Sequence, residues 1–284
     1  MMTNLSKNKI RTAITILAVF IVFLAGLASS LYAAGPYTFG IIPQYGQRQL
    51  FERWKPLLDE LQRRTGLSFR LASVPTIPVF QKEFLNGIYD FAYTNPYDLL
   101  QARKSQGYAP LVRDRVALRG ILVVRKDSPI KKLSEMNNKV VAFPSPNALG
   151  ASLLMRADLS RLHHVSVVPL YVKTHGSVYL HVVKGLAEAG GGVQKTLEEQ
   201  AQPIQDSLRI LYTTRDIPSH PIVAHPRVPG KDAEKVRHAF LAMAATEEGR
   251  KLLAKIPMKQ PVSTSMDDYS MMRDWGLESF WVKE

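Results

Sequence analysis

Residues 90–107, DFAYTNPYDLLQARKSQG, set two kinds of structure side by side. Asp90–Thr94 has the apolar and aromatic residue types of a short strand. Pro96 then stands where a first helical position falls, ahead of the helical stretch Tyr97–Gly107. The same alternation runs upstream. TFGIIP (38–43) reads as a strand, and LFERWKPLLDELQRRTG (50–66) places Leu50, Trp54, Leu57, Leu58 and Leu61 at helical spacing. Pro56 is expected to kink that helix or start a second one, and Gly66 to end it. SFRLASV (68–74) is a second strand, and IPVFQKEFLNG (77–87) a second helix. Strands alternating with helices over some 75 residues predict an α/β fold with a parallel sheet.

A second unit of the same kind follows. GILVVRKD (120–127), KVVAFPSP (139–146), VSVVPLYV (165–172) and LRILYTT (208–214) read as strands. ALGASLLMRADLSRL (148–162) and GSVYLHVVKGLAEA (176–189) read as helices, and TLEEQAQ (196–202) as a short one. IPSHPIVAHPRVPG (217–230) reads as a proline-rich loop. Two helices are expected over 231–256, and a last one near Met266–Trp275, capped by Ser265. No flexible linker separates the units. Two lobes joined by crossing strands are therefore expected, with crossings near Arg119–Arg125 and Leu208–Arg215. Lobe 1 is then 36–118 plus 214–284, and lobe 2 is 119–213.

The first 34 residues stand apart. Lys7, Lys9 and Arg11 precede the uncharged run Ile14–Leu27, and small residues follow at Ala28, Ser29 and Ser30. This is the pattern of a secretory signal peptide. Left uncleaved, residues 14–33 approach the length of a membrane anchor. The absence of cysteine rules out disulfides and thiolate metal sites, and it suits an oxidising compartment. Net charge is +13, three charges of it in the leader, but acids are interspersed with the bases throughout. A dispersed positive field of this kind draws in small anions; it lacks the clustered basic and aromatic face of a nucleic-acid binder.

Three strand ends feed small, polar or proline residues and then a helix: Tyr93-Thr94-Asn95-Pro96, Ser145-Pro146-Asn147-Ala148 and Thr174-His175-Gly176-Ser177. Ligands of open α/β sheets bind at the carboxyl ends of strands. A first helical turn presents unpaired N–H groups and the positive end of its dipole, so several turns aimed at one point form an anion site. Gly190-Gly191-Gly192 has the composition of a phosphate loop but follows its helix and opens a strand, so close backbone packing is its expected role. Adjacent His163 and His164 point to opposite faces of an extended chain, and no acid accompanies His220 or His225 at metal spacing, so no metal and no cofactor is expected. Ser219-His220 lacks a nucleophile elbow and an orienting acid, and an enzyme is not expected. Contact with a ligand from the Ile217–Pro221 loop is the better use of that stretch.

DFAYTNPYDLL, KTHGSVYLHVVKG with AEAGGGVQKTLEE behind it, and RDIPSHPIVAHPRV closely resemble the periplasmic phosphonate/phosphite/phosphate-type substrate-binding proteins of ABC importers, over about 37–256. The resemblance implies a type II Venus-flytrap fold, with two α/β lobes, two crossover strands and a ligand in the cleft. It implies high-affinity capture of a small oxyanion in the periplasm for delivery to an importer's membrane subunits. By position, the implied ligand-binding residues are Tyr45, Tyr93, Thr94, Asn95, Ser145, Asn147, Thr174, His175 and Ser177. SPNALGAS departs from the family's run of hydroxyls followed by glycine, and Glu188 replaces the aspartate of its usual turn. A membrane-tethered oxyanion sensor signalling to a partner is the alternative on the same fold.

Overall fold

The computed structural model describes residues 35–283, so the expected signal or anchor lies outside the described residues. From Tyr37 the chain runs β1 (Tyr37–Ile41), α1 (Gln47–Thr65), β2 (Phe69–Ser73), α2 (Ile77–Leu85), β3 (Phe91–Tyr93), α3 (Pro96–Gln106) and β4 (Ala109–Asp114). It continues through β5 (Gly120–Arg125), β6 (Val140–Phe143), a π-turn (Leu149–Leu153), α4 (Leu154–His163), β7 (Val168–Tyr171), α5 (His175–Val183), β8 (Ala189–Val193), α6 (Gln194–Glu198), α7 (Gln202–Asp206) and β9 (Leu208–Thr213). The last part is β10 (Pro221–Ala224), α8 (Gly230–Met243), α9 (Glu247–Lys255), β11 (Pro261–Ser263) and α10 (Asp267–Ser270), followed by two short 3-10 turns.

These strands form two sheets. One has the order β11-β4-β10-β3-β1-β2, the other β7-β6-β8-β5-β9. Each is parallel in its strand–helix part (β2-β1-β3 and β7-β6-β8) and antiparallel elsewhere. The sheets are thus mixed where the alternation predicted parallel ones. The reason is connectivity: β5, β9 and β10 enter next to the passages between sheets and run against their neighbours. Those passages are Arg115–Arg119 and Thr214–His220, joined by the isolated β-bridge Leu118–Ile217. The segments expected to cross, 119–125 and 208–215, fall mainly on β5 and β9, which pair with each other in the second sheet.

Two other expectations change. α1 runs through Pro56 as one helix, so the proline starts no second one, and Leu50, Trp54, Leu57, Leu58 and Leu61 all bury. Five buried side chains at roughly 1.5–3 kcal/mol each outweigh the lost hydrogen bond and ring clash of a proline, about 3 kcal/mol. The proline-rich stretch 217–230 contains β10, a fully buried strand between β3 and β4. Pro221 is its first residue, a position where a proline costs the ladder least.

The glycine run forms most of β8, next to β5 and β6 at the middle of the second sheet. A β-carbon on Gly190 would lie 2.6 Å from Val178, and one on Gly192 2.2 Å from the Tyr179 hydroxyl, both on α5. One on Gly191 would lie 2.1 Å from the Ala151 carbonyl oxygen in the π-turn. Alternate residues of a strand face opposite sides. The three glycines therefore let α5 and the π-turn sit directly on the two faces of one strand, which fixes where both helices begin.

Candidate functional site

Two of the three helix starts picked out in the sequence are built by side-chain capping, and the third has no side-chain cap. Asn95 caps α3: its Oδ1 accepts the Asp98 N–H at 2.8 Å, and its Nδ2 donates to the Asp98 carboxylate at 2.6 Å. Thr174 caps α5 by accepting the Ser177 N–H at 3.1 Å, with the two hydroxyls 2.9 Å apart. Lys173, immediately before this cap, is held at φ 75°, the left-handed region. That conformation costs a non-glycine residue roughly 1–2 kcal/mol, and it turns the chain sharply from β7 into α5. The third start is Ser145 to the π-turn, where the N–H groups of Ser152 and Leu153 both go to the Ala148 carbonyl.

These starts meet at a small cavity of about 20 Å³, bordered by Asn95, Ala148–Ala151, His175, His220 and Gln44. It is the size of a single water position. A wider cleft of about 410 Å³ shares Gln44, Leu118, Val193 and His220 with it and is walled by Tyr45 and Tyr93. A third space of about 280 Å³ shares Gln44 and His175 and is bordered by Thr174. Asn95 and His175 thus face the small cavity, Tyr45 and Tyr93 the wide cleft, and Thr174 the third space. Thr94, Ser145, Asn147 and Ser177 border none of the three.

Two of those four are committed elsewhere. Asn147 donates to the Val282 carbonyl at 2.8 Å and accepts the Val282 N–H at 3.0 Å, and Ser177 is tied to Thr174. Thr94 and Ser145 are buried with side-chain oxygens that have no partner, and the buried His175 Nδ1 has none either. Tyr45 spans the halves: its hydroxyl donates to Glu199 at 2.7 Å, Arg53 pairs with the same carboxylate at 2.9 Å, and the guanidinium lies 4.2 Å over the Tyr45 ring. On the other flank Arg156 donates to the carbonyls of Pro146 and Phe280, and Arg161 to those of Trp275 and the Ser279 hydroxyl.

Sequence reasoning pointed to the Ile217–Pro221 loop through its backbone and hydroxyl groups but not to the His220 ring, which walls the site. Its ring stacks on Tyr93 with centroids 5.3 Å apart, and the neighbouring Ser219 hydroxyl donates to the Asp114 carbonyl at 2.6 Å. Burial drives the His175 imidazole down to about 4 and that of His220 to about 3, the latter helped by His175 and Lys195. Both rings are therefore neutral at pH 7, each with one N–H to give and one nitrogen to accept. Among the described residues, the small cavity is lined by neutral polar side chains and by no carboxylate.

The fold has solved counterparts. A binding protein component of an ABC phosphonate transporter from Pseudomonas aeruginosa is 19% identical, with a TM-score of 0.75 over 84% of this chain and 85% of that one. PhnD1 from Prochlorococcus marinus in complex with methylphosphonate is 16% identical, with a TM-score of 0.75 over 84% and 96%. A Xanthomonas citri protein bound to ATP is 18% identical, with a TM-score of 0.71 over 87% and 98%. At such identities the likeness speaks for the two-lobed fold. The sequence itself matches, over residues 39–269, the model of the periplasmic substrate-binding proteins of phosphonate ABC transporters, and the chain belongs to that family of binding proteins, not enzymes.

Proposed function

We propose that this chain captures a phosphorus oxyanion, a phosphonate, phosphite or phosphate, between its two lobes and presents it to the membrane subunits of an ABC importer. One observation carries the reading. Seven buried side-chain polar atoms among the described residues have no hydrogen-bond partner, and three of them are Thr94 Oγ, Ser145 Oγ and His175 Nδ1. An unsatisfied buried polar group costs about 1–3 kcal/mol. Three such costs at the three helix starts, drawn from both halves, fit groups completed by a ligand.

In this reading Asn95, Thr94, Ser145 and His175 give hydroxyl, amide and imidazole hydrogen bonds to the oxyanion, and the π-turn backbone adds N–H groups. Tyr45 and Tyr93 bound the space for a substituent. Thr174 and Ser177 hold the start of α5 and keep His175 aimed inward, while Asn147 anchors the C-terminal segment. Residues 36–118 with 214–284, and 119–213, move as the two lobes about the passages at Arg115–Arg119 and Thr214–His220. The closed form, latched through Tyr45, Arg53 and Glu199, is the form the importer recognises, since a ligand shifts the equilibrium by its greater affinity for that state. Residues 1–34 export the chain to the periplasm and, if retained, tether it to the membrane.

His175→Ala tests the site. Calorimetric titration with methylphosphonate and with phosphate is expected to show affinity for the bound anion reduced by at least about 1.5 kcal/mol, roughly tenfold. Unchanged affinity removes His175 from the site.

A further inference from the structure

The wide cleft has a charge balance that capture of a bare oxyanion leaves unused. Every acid on it is already engaged. Asp114 accepts backbone N–H bonds from Val116, Lys259 and Gln260 at 3.2, 2.9 and 3.2 Å. Asp216 is paired with Arg119 at 2.6 Å, and Glu198 accepts the Gln194 amide at 2.9 Å. Glu199, just behind, is held by Tyr45 and Arg53. The two lysines differ: among the described residues neither Lys195 nor Lys259 forms an ion pair, and both face the cleft.

Lys195 is the more telling of the two. It is half-buried on α6, directly after the central strand β8, and burial pushes its ammonium below the usual lysine range although Asp114 and Glu199 pull the other way from a distance. A cation kept in such a place without a direct counter-ion is costly, and an incoming anion relieves the cost. Lys195 also acts on His220, which borders both the small cavity and the wide cleft. One ligand can therefore reach both. A cationic substituent would find only carboxylates already held by N–H donors or by Arg119, and bare phosphate would leave most of about 410 Å³ to water.

We propose that the ligand is two-headed: a phosphonate or phosphate ester whose organic part carries a second acidic group, bound in the wide cleft by Lys195, with Lys259 at the rim. This rests on the oxyanion site proposed above, and the test separates the two. The full chain is titrated calorimetrically with 3-phosphonopropionate, methylphosphonate and 2-aminoethylphosphonate. The acid-bearing compound is expected to bind about tenfold or more tightly than the other two, the scale of one charge-assisted hydrogen bond. Lys195→Gln is expected to erase that preference while lowering methylphosphonate affinity by less than about threefold, and Lys195→Arg to keep it. Equal binding of the three, tighter binding of 2-aminoethylphosphonate, or a preference that survives Lys195→Gln overturns the second anionic subsite and leaves the oxyanion site standing. Binding of none of the three overturns both.

Discussion

Gly191→Ala is expected to lower the stability of the chain by about 3 kcal/mol, and Gly191→Val by more. The new β-carbon would stand 2.1 Å from the Ala151 carbonyl oxygen and 2.4 Å from the Phe143 ring. The first obstacle is backbone of the π-turn, and the ring is fully buried, so neither can swing aside. Relief requires the turn to lift from β8, which opens the core and displaces one of the three helix starts. For a chain of this size the loss corresponds to a fall in melting temperature of roughly 6–12 °C. Gly230→Ala is the matched control: nothing lies within 4 Å of its β-carbon, at the start of α8, and a change within about 0.5 kcal/mol is expected. Thermal denaturation of both variants checks this. A Gly191→Ala chain that melts with the parent would show that the packing of β8 on the π-turn is not tight.

The second large effect is loss of stability in mild acid. His175 and His220 are held neutral by burial, at about 4 and about 3, against 6.5 for an exposed imidazole. Below pH 6.5 the unfolded chain takes up protons that the folded chain refuses, so stability present above that pH falls as pH drops toward 4. For His175 alone the full loss is about 3 kcal/mol, and with His220 it is several. Glu60, held at about 2 by Arg63 and Arg64, and the other paired carboxylates act in the same direction but only below about pH 4.5, so the interval from pH 6.5 to 5 isolates the histidines. Denaturant melts at pH 7.5, 6 and 5 should show falling midpoints in the parent and a flatter profile in the His175→Gln, His220→Gln double variant. A parent profile flat over this interval would mean that the imidazoles are hydrated or charged in the fold. A bound oxyanion works the other way, because negative charge beside an imidazole favours its protonated form. Saturating phosphonate should therefore reduce the acid loss.

Much of the fold was legible because its cues are local. Strand–helix alternation, the Asn95 and Thr174 caps and the position of Pro96 depend on residues a few places apart. They placed the three helix starts, and the structure brings Asn95, the turn after Asn147, and His175 to one cavity. The remainder depends on distant partners. The Asn147 amide is spent on Val282, 135 residues away, and Tyr45 on Glu199, 154 away. Neither pairing leaves a mark on the sequence around either residue. The sequences of β5 and β9 read as crossings because an apolar run looks alike whether it pairs in one sheet or passes between two. The true passages, 115–119 and 214–220, are too short for a period. β10 was hidden by its prolines, and with it the placement of His220 on Tyr93. Lys195 follows the glycine run directly, and only the assembled cleft shows that, among the described residues, no acid forms an ion pair with it.

The central claim, capture of a phosphorus oxyanion without turnover, is tested most directly by calorimetric titration of the unmodified chain. Phosphate, phosphite, methylphosphonate, 2-aminoethylphosphonate, 3-phosphonopropionate and sulfate form the series. Saturable one-to-one binding of at least one phosphorus compound is expected, with a dissociation constant of about 1 μM or below, and the ligand recovered unchanged. Absence of binding heat, and of any rise in melting temperature, across all of the phosphorus compounds would contradict the account.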